Sequence, residues 1–356
     1  MSSSEEQEPR QRGLPAVHAA RGARASGKVR YPSVKFWGYS ALILAVGAVL
    51  QWKWSAGEVE SSRQTLMARQ RAVTAELGPR WFPLREKIER WTTELAAEPG
   101  AEIIDHDALK SWDFRDKSGI FLRLRVQDAK TPEAIRTGAR DSLRDAFTAC
   151  LMRVPNPSAT AGNECKRTRD CTAGEFCNEQ DHCSKPAQPF NLRVAYRTLH
   201  VLTDEWIHDA QETTSDLRVR ALVAGFDDTV RDDIPLAVEV LQKAQYLLVV
   251  LDEDVPGMVL PGADAGPSAA AEAIQGVPHA ARVGVWRLND GKQILRLRRE
   301  ASGQLLGATP SVDADVLASR MRQANSCSLA LEVRSAMGDT SAGAVPAPAP
   351  APVPAP

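Results

Sequence analysis

The sequence predicts an α+β protein with a single N-terminal transmembrane helix, a helical stalk, and an extracytoplasmic domain that contains a small, mostly antiparallel sheet and a disulfide-stapled insert. Three observations lead to this prediction. An uncharged apolar stretch lies near the N-terminus, helix-like and strand-like patterns follow it without strict β-α alternation, and all six cysteines come after it.

The apolar stretch runs from Phe36 to Leu50, and the 17 residues between Lys35 and Lys53 carry no charge. A spanning helix needs about 17–25 such residues, so this length is at the short end. Aromatic residues suited to the headgroup zones flank it at Trp37, Tyr39, Trp52 and Trp54. We interpret residues 36–54 as an uncleaved transmembrane anchor. A cleaved signal peptide and a buried helix of a soluble protein are the alternatives.

The charge that precedes this stretch predicts its orientation. Residues 1–35 hold seven Lys or Arg residues against three Glu residues, a balance of about +4. Because Lys and Arg stay on the cytoplasmic side, we expect a cytoplasmic N-terminus and a periplasmic main domain in a bacterial inner membrane. The composition of this arm cannot form a core, so we expect a disordered segment that contacts anionic lipid headgroups.

Four cysteines form a regular series, in which five residues separate each from the next: Cys165, Cys171, Cys177 and Cys183. An even number of cysteines beyond a membrane segment indicates disulfides. Of the three possible pairings, we favour Cys165–Cys177 with Cys171–Cys183. Zinc is the rival interpretation, although structural zinc sites usually take paired ligands two to four residues apart.

The segment Asp170-Cys171-Thr-Ala-Gly174-Glu-Phe176-Cys177, with Cys183 beyond it, resembles the short D-C-x-x-G-x-x-C modules of secreted and surface bacterial proteins. Those modules are in turn similar to the cysteine-rich repeats of dickkopf-type extracellular domains. The resemblance covers about 20 residues. It implies a disulfide-stapled surface insert, at residues 163–186, and no activity.

The other two cysteines, Cys150 and Cys327, each fall on a predicted helix. We expect them to pair across the core. Two buried free thiols that pack as small hydrophobic side chains are the alternative.

Residues 55–99 predict a stalk of two helices, broken at Gly78-Pro79. The second helix carries a narrow apolar seam formed by Leu84, Ile88, Trp91 and Leu95. Such a seam suits a partner helix or the helix's own domain. We expect docking on its own domain, with self-association through residues 84–95 as the alternative.

Residues 100–343 predict the main domain. An alternating strand with one polar face covers 120–126, and Thr131-Pro132 begins a helix that runs to about Met152. The remaining elements are a helical region at 191–210, an ambiguous segment at 217–224, a short helix at 233–243, a buried strand at 246–251, a hairpin around Asp290-Gly291 and a helix at about 313–336. The Pro/Ala tail at 344–356 predicts a polyproline rod.

Two sets of side chains are candidates for chemistry. His200, Asp204 and His208 share one face of a predicted helix and could bind zinc, although a solvated face is the simpler interpretation. Asp252 and Asp254 follow the apolar strand and could bind a cation or act as an acid/base pair, although turn and capping roles are common for such residues. We identify no catalytic residue and expect no cofactor.

The formal net charge of −1 argues against nucleic acid as a main partner. The expected function is that of a bitopic envelope protein whose extracytoplasmic domain binds an envelope partner or acts as a scaffold. A membrane-tethered and possibly metal-dependent enzyme is the alternative, and a sensor that signals across the membrane ranks third.

Overall fold

A computed structural model describes most of the chain, from the start of the first helix to the end of the last. The described residues are 34–97, 100–110, 117–142, 146–152, 162–172, 175–178, 181–185, 188–213, 215–262, 265–266, 268–305 and 313–338. The chain divides into two units, Met1–Glu58 and Val59–Pro356, which are described separately.

The described elements alternate irregularly between helices and strands. The α-helices are α1 Val34–Ala96, α2 His106–Lys110, α3 Pro132–Arg140, α4 Ala146–Met152, α5 Leu192–Thr198, α6 Asp204–Glu212, α7 Asp216–Asp228, α8 Ile234–Lys243, α9 Ala269–Gln275 and α10 Ala314–Ala336. The strands are β1 Ile103–Ile104, β2 Gly119–Arg125, β3 Phe176–Cys177, β4 Cys183–Ser184, β5 Phe190–Asn191, β6 Tyr246–Asp252, β7 His279–Arg287 and β8 Gln293–Ala301.

The predicted anchor, residues 36–54, lies within α1, but the transmembrane prediction is wrong. Across the part of the chain that is described, no helix combines the length and the apolar character needed to cross a membrane. The apolar stretch is short, and the helix that contains it continues into a segment rich in charged residues. The side chains described within the stretch, at Leu42, Ile43, Leu44 and Val46, are exposed.

The predictions that depended on this anchor are wrong with it. They are the single-pass inner-membrane location, the cytoplasmic N-terminus with a periplasmic domain, and the signal-anchor and bitopic descriptions. Of the predicted arm, residues 1–33 lie outside the described residues, as does the tail at 344–356.

A six-stranded mixed sheet forms the centre of the second unit, in the order β1-β8-β7-β6-β2-β5. The pairs β1–β8, β8–β7 and β7–β6 are antiparallel, whereas β6–β2 and β2–β5 are parallel. Three of these five strand pairs are antiparallel, so the sheet is mostly antiparallel as predicted, but the prediction did not include its parallel part. The parallel part forms because helices connect β2 to β5 and β5 to β6 and return the chain in the same direction.

Each face of the sheet carries its own hydrophobic core. On β2, Ile120, Leu122 and Leu124 belong to the core shared with α1, α3, α5, α6, α7 and α8. Phe121, between them, belongs to the opposite core, shared with α2, α4 and α10. Because both faces are covered, β2 is buried almost throughout, including Phe121 and Arg123 on the face that is predicted to be polar.

The second half of α1 packs against the sheet. Ile88 is fully buried, and the Trp91 ring stacks on Trp286 of β7 with their centroids 5.9 Å apart. A side chain at Gly284 would contact both Trp286 and Leu95, so this glycine permits the close approach of helix and strand. The apolar seam is therefore already buried within its own domain.

Helix α1 also contradicts the predicted break at Gly78-Pro79, because it continues through Pro79 and Pro83. Proline in a helix interior removes a hydrogen bond and weakens the helix. Here the buried side chains Leu66 and Trp81, one on each side of Pro79, fix both parts to the same core. Tertiary packing thus outweighs the local cost of the proline.

Several local predictions are confirmed. Thr131 caps α3 by accepting a hydrogen bond from the Ala134 amide, with Pro132 at the first helical position. Strand β6, the β7–β8 hairpin and α10 all form where the sequence predicts them. The single helix expected from Thr131 to Met152 is instead two helices, α3 and α4, and the ambiguous segment at 217–224 is part of α7.

The docking of α1 predicts unequal costs for two neighbouring substitutions. Ile88→Ala should lower the free energy of unfolding by about 2–5 kcal/mol, because it leaves a cavity in the core. Arg90→Ala, on the exposed face of the same turn, should change it by about 0.5 kcal/mol or less. Chemical denaturation of both variants measures the difference. Equal effects would contradict the docking.

Candidate functional site

A buried polar network lies where β6 ends. The Asp252 carboxylate has no exposed side-chain surface, and the Arg123 side chain on β2 is 1% exposed. Arg123 donates from Nε to Oδ2 and from Nη2 to Oδ1 of Asp252, both at 2.8 Å. This bidentate geometry is the strongest arrangement of the two groups. It allows both charges to be buried together.

Two further side chains complete the shell around Asp252. His279 Nε2 lies 3.0 Å from Oδ1, and Gln275 Nε2 donates to Oδ2 at 3.1 Å. The other ring nitrogen of His279, Nδ1, lies 2.8 Å from the Val277 carbonyl oxygen. Both nitrogens of the imidazole are thus engaged, so neither is available to take a proton from a nucleophile.

The environment of Asp252 favours its ionised form. Burial alone would raise the pKa of this carboxyl, but the charge and hydrogen bonds of Arg123 and the hydrogen bond from His279 more than offset it. The pKa of Asp252 is consequently lowered, and the carboxylate remains charged throughout the neutral range.

The strand register explains why these residues meet. Arg123 pairs with Val250 in the parallel β2–β6 ladder, so its side chain reaches the same face two residues before Asp252. On the other side of β6, Asp252 pairs with Ala281, and His279 lies two residues away on the same face of β7. The network therefore spans the three central strands.

Polar side chains connect this network to the helices above it. Arg123 Nη1 donates to Ser326 Oγ of α10 at 3.0 Å. Asn325 Nδ2 donates to the Gln275 carbonyl at 2.9 Å, and its Oδ1 accepts from the Gly303 amide at 2.8 Å. Helices α9 and α10 are thereby fixed to the sheet by satisfied hydrogen bonds.

Ser142 takes the place of a missing strand neighbour. Among the described residues, the β5 ladder pairs with β2 at Ile120 and Phe121 and ends before it reaches Arg123. The Ser142 hydroxyl accepts from the Arg123 amide at 3.4 Å and donates to the Arg123 carbonyl at 3.0 Å. It satisfies both backbone groups that a strand would have paired.

A small cleft opens beside the network, at the carboxyl ends of the parallel strands β2 and β6. Ligands of open α/β sheets bind at such an edge. Its volume is about 30 Å³, and its polar lining includes Arg123, Arg125, Asp128, Asp141, Ser142 and Gln275. Burial raises the pKa of Asp128. A cleft of this size has room for water molecules rather than for an organic substrate.

The structure separates the predicted zinc face. Thr203 adopts an extended conformation and caps α6, so His200 lies on a preceding 3₁₀ turn rather than on the same helix as Asp204 and His208. The His200 ring contacts Arg140 Nη2 at 2.8 Å, and exposed His208 pairs with Glu212. The three residues do not form a joint site.

The predicted Asp252/Asp254 pair is also divided. Asp252 binds Arg123, whereas the half-exposed Asp254 binds Arg125, which lies two residues further along β2. Each carboxylate has its own guanidinium partner, which suits a structural ion pair better than an acid/base pair.

Arg123, His279 and Gln275 escaped the sequence analysis. The alternation of β2 places Arg123 on the polar face of the strand, and burial of both sheet faces puts that side chain in the interior. The position of Asp252 could have indicated these partners, because it directly follows six apolar residues of a strand buried on both faces. A charge in that position requires a buried partner of opposite sign.

The second candidate surface is the cysteine module, defined here as the described residues of 162–185. The bonds Cys165–Cys177 and Cys171–Cys183 form the pairing favoured in the sequence analysis, with Cα separations of 5.8 and 5.5 Å. The third disulfide, Cys150–Cys327, joins α4 to α10. The prediction of disulfide bonds is confirmed.

Backbone hydrogen bonds also shape the module. Cys177 and Cys183 lie opposite each other in the β3–β4 ladder, and the Cys165 and Cys183 amides donate to the Asp181 and Asn163 carbonyls, both at 2.8 Å. Gly162 passes so close to the Cys183 carbonyl that a side chain there would overlap it. The fold of the module is therefore fixed by its backbone as well as by its sulfurs.

The module rests on an unusual turn of the main domain. Residues Thr229–Asp233 form a π-helical turn between α7 and α8. Arg167 Nη1 donates to Asp228 Oδ1 at 3.0 Å, and Thr168 Oγ1 donates to Asp233 Oδ1 at 3.4 Å. Turns of this kind occur frequently at functional sites.

Comparison of the chain with protein-family models, with curated proteins and with solved structures gives no match.

The buried network predicts a large cost for one neutralising substitution. Asp252→Asn keeps the shape of the side chain but leaves Arg123 as an uncompensated buried charge, so it should lower the free energy of unfolding by about 3–5 kcal/mol. Asp254→Asn, whose partner Arg125 is closer to solvent, should cost about 1 kcal/mol or less. Urea denaturation at neutral pH compares the two.

The same carboxyl predicts a pH dependence. Because the pKa of Asp252 is lowered on folding, its contribution to stability is present above the unfolded value of about 3.9 and is lost as the pH falls below it. The wild-type chain should therefore lose more stability between about pH 5 and pH 2 than Asp252→Asn does. Parallel losses in the two proteins would contradict the assignment.

His200 provides an independent electrostatic test. Burial first, and then the nearby charge of Arg140, lower the pKa of His200 from its usual value. Its NMR titration midpoint should lie below about 6.5 and should rise in Arg140→Gln. Since the unfolded chain then binds the proton first, stability should fall as the pH drops below about 6.5. His200→Gln should remove that decline, and a midpoint above 6.5 would overturn the assignment.

Proposed function

We propose that this protein is a non-enzymatic binding or scaffold protein of an oxidising compartment, and that the cysteine module forms its partner-binding surface. One observation carries the proposal. Two disulfides fix a short, exposed segment that adds no residue to either hydrophobic core of the described domain.

The burial pattern of the module supports this role. Among its described residues, only Cys165 and Cys183 are buried, and neither belongs to a hydrophobic core of the domain. The large apolar side chains that stabilise the domain come from the sheet and its helices instead. Since the module contributes little to the domain core, its rigid shape is best explained by what it presents outward.

The docking of the module leaves that outward surface open. Lys166 and Arg169 are exposed, whereas the neighbouring Arg167 binds Asp228 at the end of α7 and Thr168 binds Asp233 of the π-helical turn. A rigid loop held at one edge by polar contacts pays little conformational entropy when it binds a partner. The module has this form.

The candidate catalytic groups support a binding role rather than an enzymatic one. The Arg123–Asp252–His279 network is buried and saturated, and its cleft is about 30 Å³ in volume. In the described residues, the carboxylates and imidazoles proposed for metal chemistry are divided among separate partners.

The cysteines support the choice of compartment. The structure describes all six, and each is in a disulfide. Disulfides persist in oxidising compartments and are rare where glutathione and thioredoxin keep thiols reduced.

Site-specific photocrosslinking tests the proposal. A photoreactive residue at Arg169, on the module, is compared with one at Val259, which is 92% exposed on a loop outside the module. In native cells, we expect one reproducible, identified protein adduct at Arg169 and at least about tenfold less of it at Val259. The double variant Cys171→Ser/Cys183→Ser should lose the adduct while its main domain retains its near-ultraviolet circular dichroism.

Equal adducts at the two positions, or none at Arg169, would overturn the module as a binding surface. Retention of the adduct in the double variant would show that the rigid shape of the module is not needed.

A further inference from the structure

We propose that the reduced cysteine module is a four-thiolate zinc site, so that the module has two alternative staples: two disulfides when oxidised and one Zn²⁺ ion when reduced. The sulfurs of Cys165, Cys171 and Cys183 lie within 4.8 Å of one another, although they belong to two different disulfides. The fourth sulfur, that of Cys177, lies outside this group of three but is bonded to the Cys165 sulfur in the oxidised module.

These separations are close to those that zinc requires. A Zn–S distance of about 2.3 Å places the sulfurs of a tetrahedral site about 3.8 Å apart. Once the disulfides are reduced, rotation about the side-chain bonds can change the separations between the sulfurs and bring Cys177 towards the other three.

Backbone hydrogen bonds bring the module cysteines closer together than their spacing in the sequence suggests. Zinc sites usually pair ligands two to four residues apart, whereas five residues separate each cysteine here from the next. The β3–β4 ladder sets Cys177 opposite Cys183, and the Asp181 carbonyl holds the Cys165 amide at 2.8 Å. These hydrogen bonds do not involve sulfur, so they can form in the reduced chain as well.

The surrounding charges suit such a site. A Zn²⁺ ion with four thiolates carries a net charge of about −2, which requires nearby cations. Lys166, Arg167 and Arg169 lie between the first two cysteines, on the 3₁₀ turn at residues 168–170 and immediately before it. The Asp170 carboxylate is occupied by the Lys166 and Arg167 amides, each at 3.0 Å, which fixes this cationic turn beside the sulfurs.

Reduction of the two module disulfides balances with a dithiol as the reductant. Each module disulfide accepts two electrons and two protons from one dithiol, which leaves as a disulfide, so two dithiols yield four cysteine thiols. Binding of Zn²⁺ then releases up to four protons as the thiols become thiolate ligands.

Titration with Co²⁺ as the spectroscopic probe tests the site. The full chain carrying Cys150→Ser/Cys327→Ser, reduced with a phosphine under anaerobic conditions, presents only the four module thiols. We expect about one equivalent of Co²⁺ to bind with thiolate charge-transfer absorption and the intense visible bands of tetrahedral Co²⁺, and one equivalent of Zn²⁺ to displace it. The oxidised protein should show neither spectrum.

The matched control adds Cys171→Ser and Cys183→Ser to that variant, which leaves two module thiols, and should bind Co²⁺ at least about tenfold more weakly. If the background variant does not fold, the reduced wild-type chain is compared with Cys171→Ser/Cys183→Ser alone. An octahedral spectrum, or equal binding with and without the module pair, would overturn the proposal. Its outcome is independent of the crosslinking at Arg169, which concerns the oxidised module.

Discussion

The carboxylate of Asp252 is the group on which the described domain most depends. It accepts hydrogen bonds from Arg123 and Gln275 and contacts His279, so it joins β2, β6, β7 and α9 at one buried point. Arg123 extends the network to α10.

The cost of burying these charges is offset only if every partner is present, because an unpaired ion in the interior is strongly unfavourable. This requirement fixes the register of the three central strands as well as the position of the two helices packed over them. An apolar core would tolerate small shifts that this network does not.

Sequence reasoning succeeded where the determinants are local. The Thr131 cap, the apolar run of β6 and the turn at Asp290-Gly291 depend on neighbouring residues, and the structure contains each of them. It failed where the outcome depends on distant residues. The core on both sides of Pro79 keeps α1 continuous, and burial of both sheet faces turns Arg123 inward. The predicted membrane anchor was wrong because apolar runs near the minimum length do not by themselves distinguish spanning helices from others. The candidate site was predicted only in part. Asp252 was a candidate residue, but its partners Arg123, Gln275 and His279 lie far away in sequence and were not predicted.

The residues that stabilise the domain are different from those that the cysteine module exposes. The polar groups around Asp252 are hydrogen-bonded within the sheet and its helices. The cysteine module contributes almost nothing to the core and is held by its own disulfides and short ladder. Small segments that cannot build a core depend on such staples for a defined shape. Asp228 at the end of α7 and Asp233 of the π-helical turn at 229–233 accept hydrogen bonds from the module. This division supports a binding role, because a rigid surface on a rigid domain is ready to bind without reorganisation.

Native-state amide hydrogen exchange on Asp252→Asn tests the central role of this carboxylate most directly. The account predicts that amides of β2, β6, β7 and α10 lose protection together, because all of them depend on one buried charge. The Cys165 and Cys183 amides should keep their protection, since local bonds of the module hold them. Loss of protection confined to the residues that touch position 252, with α10 unchanged, would contradict the account and would reduce the network to one ion pair among many.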